Sequence, residues 1–147
     1  MIRSARAADL EALLAMESSL FGQGAWSRAS LAGELDEPQH WLAVAPIHGP
    51  PRGYISLRCV VDEAELLRVG VHSDFQRQGL ARMLIQAGIA WAGERGAQRI
   101  FLEVSALNTP ARALYMSCGF EPCGLRKGYY SPGVDALLLA KPLGPRP

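Results

Sequence analysis

Val69-Gly-Val-His-Ser-Asp-Phe-Gln-Arg-Gln-Gly-Leu-Ala-Arg82 runs from a short apolar strand through a turn into the start of a long helix. A helix start leaves its first backbone N–H groups without partners and carries a partial positive charge, so it can hold an anion. Glycine at position 79 lets that backbone approach a phosphate, because no side chain stands between them. Taken alone, Gly79 could equally serve a tight strand-to-helix turn.

Working outward, Ile2–Arg6 reads as a first strand and Asp9–Leu20 as a helix, with Asp9 as its cap and Leu10, Leu13, Leu14 and Glu17 on one face. Ser27 caps a second helix carrying Leu31 and Leu35, and Pro38 follows its end. His40–Ala45 and Tyr54–Val61 form a hairpin, Asp62-Glu63 turns the chain, and Ala64–Val71 is the next strand. The helix after Gly79 extends to Arg95, with Leu80, Met83, Leu84, Ala87, Ala90 and Trp91 as its core-facing stripe. Gly88 and Gly93 each weaken it by about 1 kcal/mol relative to alanine, so packing must sustain it. Arg99–Val104 is a strand, Asn108–Ser117 a helix, and Glu121–Tyr129 and Val134–Lys141 are two last strands before a frayed GPRP tail.

This order, β-α-α-β-β-β-α-β-α-β-β, predicts an α/β fold: one mixed central sheet flanked by helices, with a strand–helix–parallel-strand unit at its centre. The 147 residues suit a single domain over 1–147, and a hydrophobic content of 49% is enough to fill its core. A net charge of +1 with no basic stripe argues against direct nucleic-acid binding. No apolar run approaches the roughly 20 residues of a membrane span. Asp9 and Glu11 interrupt any signal-peptide core, so the expected location is cytoplasmic. Cys59, Cys118 and Cys123 form no CxxC pair and are expected to be reduced, buried thiols; His40, His48 and His72 lack metal-ligand spacing, so no metal is expected.

Two side chains stand out chemically. In Arg99-Ile-Phe-Leu-Glu-Val104, alternation puts Ile100, Leu102 and Val104 on one face and Phe101 and Glu103 on the other. A carboxylate within so apolar a strand must be paired or solvated in a cleft. Glu103 is thus a candidate general base or the partner of an arginine. Tyr115 shares a helix face with Ala111, Leu114 and Cys118. It packs in the core, yet its hydroxyl needs a partner and can assist a leaving thiolate.

The hexad Gln76-Arg77-Gln78-Gly79-Leu80-Ala81 matches Q/R-x-x-G-x-G/A and resembles the acyl-CoA diphosphate loop of the GNAT N-acetyltransferases. The segments DEAELLRVGVHSDFQRQGLARMLI, LEVSALNTPARALYMSCGF, GLRKGYYSPGVDALLLAKPL and AWSRASL are similar to the RimI-type branch, the ribosomal-protein alanine N-acetyltransferases. The resemblance spans nearly the whole chain. It implies acetyl-CoA as cosubstrate, bound by the strand backbone at Val69, Gly70 and Val71, by Arg77, Gln78, Gly79, Leu80, Ala81 and Arg82, and by Asn108. It also implies Glu103 as general base, Tyr115 as general acid, and a protein N-terminus, the alanine of a small-subunit ribosomal protein, as acceptor. His72-Ser73 departs from the Asp-Pro or His-Pro common in that branch, a change expected to loosen the turn. Val134 precedes Asp135 where relatives often carry a polar residue, and Ala81 stands for a frequent glycine. A lysine or small-amine acetyltransferase and a non-catalytic acyl-CoA-binding module are the alternatives. Trp26 with Asp62, Glu63 and Glu65 could meet a basic peptide, although a solvated turn explains those acids equally.

Overall fold

The computed structural model describes residues 1–144; residues 145–147 of the tail expected to fray lie outside that range. Seven strands form one sheet: β1 (Arg3–Ser4), β2 (His40–Ala45), β3 (Gly53–Val60), β4 (Glu63–Val71), β5 (Arg99–Ser105), β6 (Glu121–Ser131) and β7 (Val134–Pro142). Their spatial order is β1-β2-β3-β4-β5-β7-β6. Helices α1 (Leu10–Phe21) and α2 (Arg28–Asp36) precede β2, α3 (Leu80–Glu94) links β4 to β5, and α4 (Thr109–Ser117) links β5 to β6.

All neighbours pair antiparallel except β4 and β5, which are parallel and paired only from Glu63↔Arg99 to Glu65↔Phe101. The reason lies on the other edge of β4. Its register with β3 slips between Ser56↔Arg68 and Leu57↔Leu66, leaving Leu67 as the extra residue of a bulge. A bulge bends its strand and increases its twist. From that point β4 departs from β5, and the last residues of both strands flank a wedge-shaped gap.

Two apolar clusters occupy the two faces of the sheet. Ile55, Leu57, Leu84, Ile85, Ile100, Leu102 and Phe120 are buried on the α3 face. Leu13, Leu31, Leu42, Val44 and Tyr54 fill the α1–α2 face. The buried residues of α3 are Leu84, Ile85, Gly88 and Ala92, whereas Ala90 is exposed. Leu84 of the predicted stripe is buried and Leu80, Met83 and Trp91 pack against the same cluster, so the contact face holds most of the stripe and extends past it to Ile85, Gly88 and Ala92. Gly88 explains the extension. A Cβ there would sit 2.9 Å from Leu57 Cδ2 and 3.0 Å from Ile55 Cδ1. Its bare backbone is itself the contact surface, which a count of apolar side chains misses.

Ser27 caps α2, its Oγ accepting from Ser30 N at 3.1 Å. Asp9 does not cap α1 with its side chain. Its carboxylate instead accepts from Arg6 N at 2.8 Å and from both Arg3 Nη atoms at 2.7 and 2.9 Å. β1 is also shorter than expected. Of the cysteines only Cys59 is buried; Cys118 is half-buried and Cys123 exposed, since β6 is an edge strand with an exposed face.

The Arg3 guanidinium holds the Asp9 carboxyl below its usual range, outweighing the opposing effect of burial. A depressed folded-state pKa gives stability present above the unfolded value near 3.8 and lost as pH falls through the folded one. Asp9→Asn is expected to lower stability by about 2 kcal/mol at pH 7. Melting curves should show the two proteins converging only below about pH 4.

Candidate active site

The split between β4 and β5 is bordered by the main chain of β4 on one side and by β5, the strand that carries Glu103, on the other. His72 N donates to the Arg52 carbonyl at 2.8 Å, which sets the phase of the β3–β4 ladder. By alternation Gly70 faces Tyr54 across that ladder, and the backbone groups of Val69 and Val71 turn toward the gap. Glycine is required at position 70 because a Cβ would lie 2.8 Å from the Tyr54 ring.

Beyond β4 the chain makes a single 3-10 turn, Ser73–Phe75. His72 tightens this turn rather than loosening it: its Nδ1 accepts from Asp74 N at 3.1 Å and its carbonyl from Phe75 N at 2.8 Å. Gln76 then ties the loop back to the strand, donating from Nε2 to the Val71 carbonyl at 3.0 Å. Arg77 and Gly79 both adopt left-handed backbone, at φ 64° and 82°. For arginine this conformation costs about 1–2 kcal/mol. The first backbone bond into α3 is Met83 N to Gly79 O at 3.1 Å. Among the described residues no side chain caps this end, and the N–H groups of Leu80, Ala81 and Arg82 have no partner within the helix. A Cβ on Gly79 would meet nothing within 4 Å. The loop thus presents bare, unpaired donors to open space, which fits the diphosphate of an acyl-CoA. Along its outer side lies a cavity of about 180 Å³ lined by Arg52, Phe75, Gln78, Gly79 and Leu80.

Glu103 lies on the face opposite α3, as alternation requires, and its side chain is 21% exposed. Arg126 Nη1 approaches it at 3.3 Å, but that side chain is 53% exposed. Such a partner is readily displaced. Tyr115, on α4, is buried and meets Phe120 edge-on at 6.0 Å. Burial, with smaller contributions from Cys118 and Tyr130, pushes its phenol up to about 12. It therefore stays protonated and is a donor across the physiological range. Burial, then Glu103 and Tyr129, also raises Tyr130. Tyr130 interacts electrostatically with both Glu103 and Tyr115, so β6 contributes to the site.

Asn108 and Arg82 have structural partners in this site. Asn108 caps α4, Oδ1 accepting from Ala111 N at 3.3 Å. Arg82 reaches Ser117 Oγ at 2.8 Å and so joins α3 to α4. Sequence reasoning overlooked Gln76 and Tyr130. Gln76 was visible as the first residue of the hexad, whereas nothing in the GYYSPG stretch marked Tyr130 as reaching the site. The acids proposed to meet a peptide turn elsewhere. Glu63 pairs with Arg99 at 2.7 Å and Glu65 with Arg58 at 2.5 Å, at the opposite end of β4 from Val71. Among the described residues no three His, Cys, Asp or Glu side chains come together as a metal would need.

The family model described as "Acetyltransferase (GNAT) family" matches residues 9–120. The chain belongs to the GNAT acetyltransferase family. It is 33% identical over 143 residues to the Mycobacterium tuberculosis N-alpha-acetyltransferase RimI, spanning 93% of this chain and 89% of that one. It is 37% identical over 99 residues to the Escherichia coli [Ribosomal protein bS18]-alanine N-acetyltransferase, 65% of this chain and 67% of the relative. The crystal structure of the Escherichia coli ribosomal-protein-S18-alanine N-acetyltransferase superposes with a TM-score of 0.90 at 31% identity, covering 100% of this chain and 96% of that one. Enzymes of the GNAT family take acetyl-CoA as acetyl donor, and the β4–α3 loop has the bare, anion-seeking backbone that such a donor needs.

Gly79→Ala separates the two roles of this glycine. Strain at φ 82° should cost about 1–2 kcal/mol of stability. The added methyl meets only whatever occupies the open space, so the acetyl-CoA KM should rise by about tenfold or more. Steady-state kinetics beside a melting curve checks this; a lowered Tm with unchanged KM would assign the glycine to the turn alone.

Proposed function

We propose that this protein transfers an acetyl group from acetyl-CoA to the N-terminal α-amine of a protein, the acceptor being the N-terminal alanine of a small-subunit ribosomal protein. What supports this reading is the uncapped loop at Gly79 together with the part-buried carboxylate of Glu103 on β5 and the protonated hydroxyl of Tyr115 on the helix that follows it. The acceptor class follows the names of relatives that span most of the chain. Such a substrate places the reaction with the ribosome, in the cytoplasm.

Bound acetyl-CoA supplies an acyl group activated as a thioester. The N–H groups of Leu80, Ala81 and Arg82 would hold its diphosphate, and the backbone of Val69 and Val71 would align its arm along the gap. Glu103 accepts the proton of the acceptor ammonium, directly or through water. Tyr115 offers its phenol hydrogen to the departing sulfur. A phenol held near 12 is a weaker acid than a thiol of pKa about 8.5, so it assists the sulfur by hydrogen bonding more than by full protonation. Arg126 and Tyr130 stand beside Glu103, where the acceptor would approach it.

Magnitudes favour an α-amine. Freeing one of pKa about 7.8 at pH 7 costs roughly 1 kcal/mol, against about 4.6 for a lysine of pKa about 10.4. A single carboxylate, paired only with the exposed Arg126, suits the smaller demand.

The deciding experiment compares an alanine-led peptide with a lysine peptide and a free amine as acetyl acceptors. Clear preference for the alanine-led peptide is expected; preference for either competitor would overturn the acceptor assignment. Glu103→Gln should lower kcat by about 100-fold or more. The kcat of the native enzyme should rise with pH as the acceptor deprotonates near about 7.8 and then stay level past about 10, where an ordinary tyrosine titrates. A level alkaline limb follows from the raised Tyr115 phenol, and a decline beginning near about pH 10 would show that this phenol is not the donor.

A further inference from the structure

Glu17 belongs to none of the steps above, yet among the described residues it is the one carboxylate with no exposure at all. Its Oε2 accepts from the Tyr54 hydroxyl, and its Oε1 from Trp26 N at 2.7 Å and from Arg68 Nη2 at 3.0 Å. The same Arg68 nitrogen donates to the Gly24 carbonyl at 2.9 Å. The guanidinium lies 3.8 Å from the Phe21 ring centre and 4.4 Å from that of Trp26. One ion pair therefore fixes the α1–α2 connection at Phe21, Gly24 and Trp26. Arg68 Nε is buried without a hydrogen-bond partner among the described residues. The guanidinium is thus placed by its aromatic stack and by Glu17, at the expense of one of its own bonds.

The location of this cluster gives it meaning. Glu65 and Phe101 are the last paired residues of β4 and β5. Two residues further along β5 stands Glu103. Two residues further along β4, plus the bulged one, stands Arg68. Both side chains lie on the face opposite α3, so they occupy the same level on either side of the wedge. Arg68 also directly precedes Val69, whose backbone turns into the gap.

We infer that the Glu17–Arg68 pair is a positioning device for the acceptor, holding Gly22–Trp26 as the wall of the wedge mouth that faces Glu103. This rests on the acetyltransferase reading above and adds the residues that set acceptor binding. A buried ion pair contributes little net stability relative to apolar packing. A pair kept only for stability would therefore be an inefficient use of the site. A pair that must orient two backbone groups and two rings needs charge and planarity together, which arginine supplies and lysine does not.

The test uses Arg68→Lys, which keeps the charge opposite Glu17 but loses the planar stack, together with Glu17→Gln. Losing charged hydrogen bonds to the wall should raise the KM for an alanine-led peptide by about tenfold, with acetyl-CoA KM and kcat each changed less than about threefold. Unchanged peptide KM in Arg68→Lys, or equal losses for both substrates alongside a lowered Tm, would overturn the inference. Hydrogen exchange on the native enzyme needs no variant. Added peptide should slow exchange across residues 22–27, and an unaltered segment would also overturn it. If the native enzyme fails to acetylate the peptide, the acceptor assignment falls. If it does so while Arg68→Lys behaves as the native enzyme, only the positioning role falls.

Discussion

Parallel pairing that stops after three residues is the constraint on which the rest of this molecule depends. β4 and β5 are joined from Glu63 to Glu65 and then part company at the bulge around Leu67. A continuous ladder would satisfy every backbone group of β4 internally and leave no room for a substrate. Interrupted as it is, the sheet remains one body below the break. Above it, the sheet offers an open groove walled by backbone on one side and by side chains on the other.

The two faces of the sheet take different shares of the work. On the α3 face the core is apolar, and the helix rests on Ile55 and Leu57 through a glycine. On the other face the packing is threaded with charge. Glu17, Arg68 and Tyr54 form one group there, and Glu34 accepts from the buried Ser56 hydroxyl at 2.5 Å. Burial raises the Glu34 carboxyl, against the lowering effects of Ser56 and His40. Charged groups in an interior require specific partners and fix specific geometry. The face that carries Glu103 is thus the more rigidly specified one.

Much of this was legible in the chain itself. Element order, the central parallel unit and the tight strand-to-helix turn at Gly79 follow from periodicity, capping residues and glycine placement. Alternation alone put Glu103 on the face away from α3. What stayed hidden depended on partners distant in sequence. Asp9 reads as a cap but is claimed by Arg3, and Glu17 reads as the margin of an apolar stripe but answers an arginine fifty-one positions away. The contact at Gly88 lay outside the expected stripe of α3 because that glycine meets β3 through the absence of a side chain. Tyr130 lies where the register of β6 with β7 shifts between Arg126 and Ser131, an irregularity without a local signature.

Gly88 has a mechanical consequence. The α3 axis can lie only as close to β3 as position 88 permits, and the uncapped start of that helix is about 12 Å away along it. A rigid rod resting on a pivot transmits any lift at the pivot to its tip. A buried position two turns along the helix thereby bears on where the uncapped start of α3 sits relative to the sheet. Variation at this pivot would shift the start of α3 without altering a single residue of the loop that leads into it.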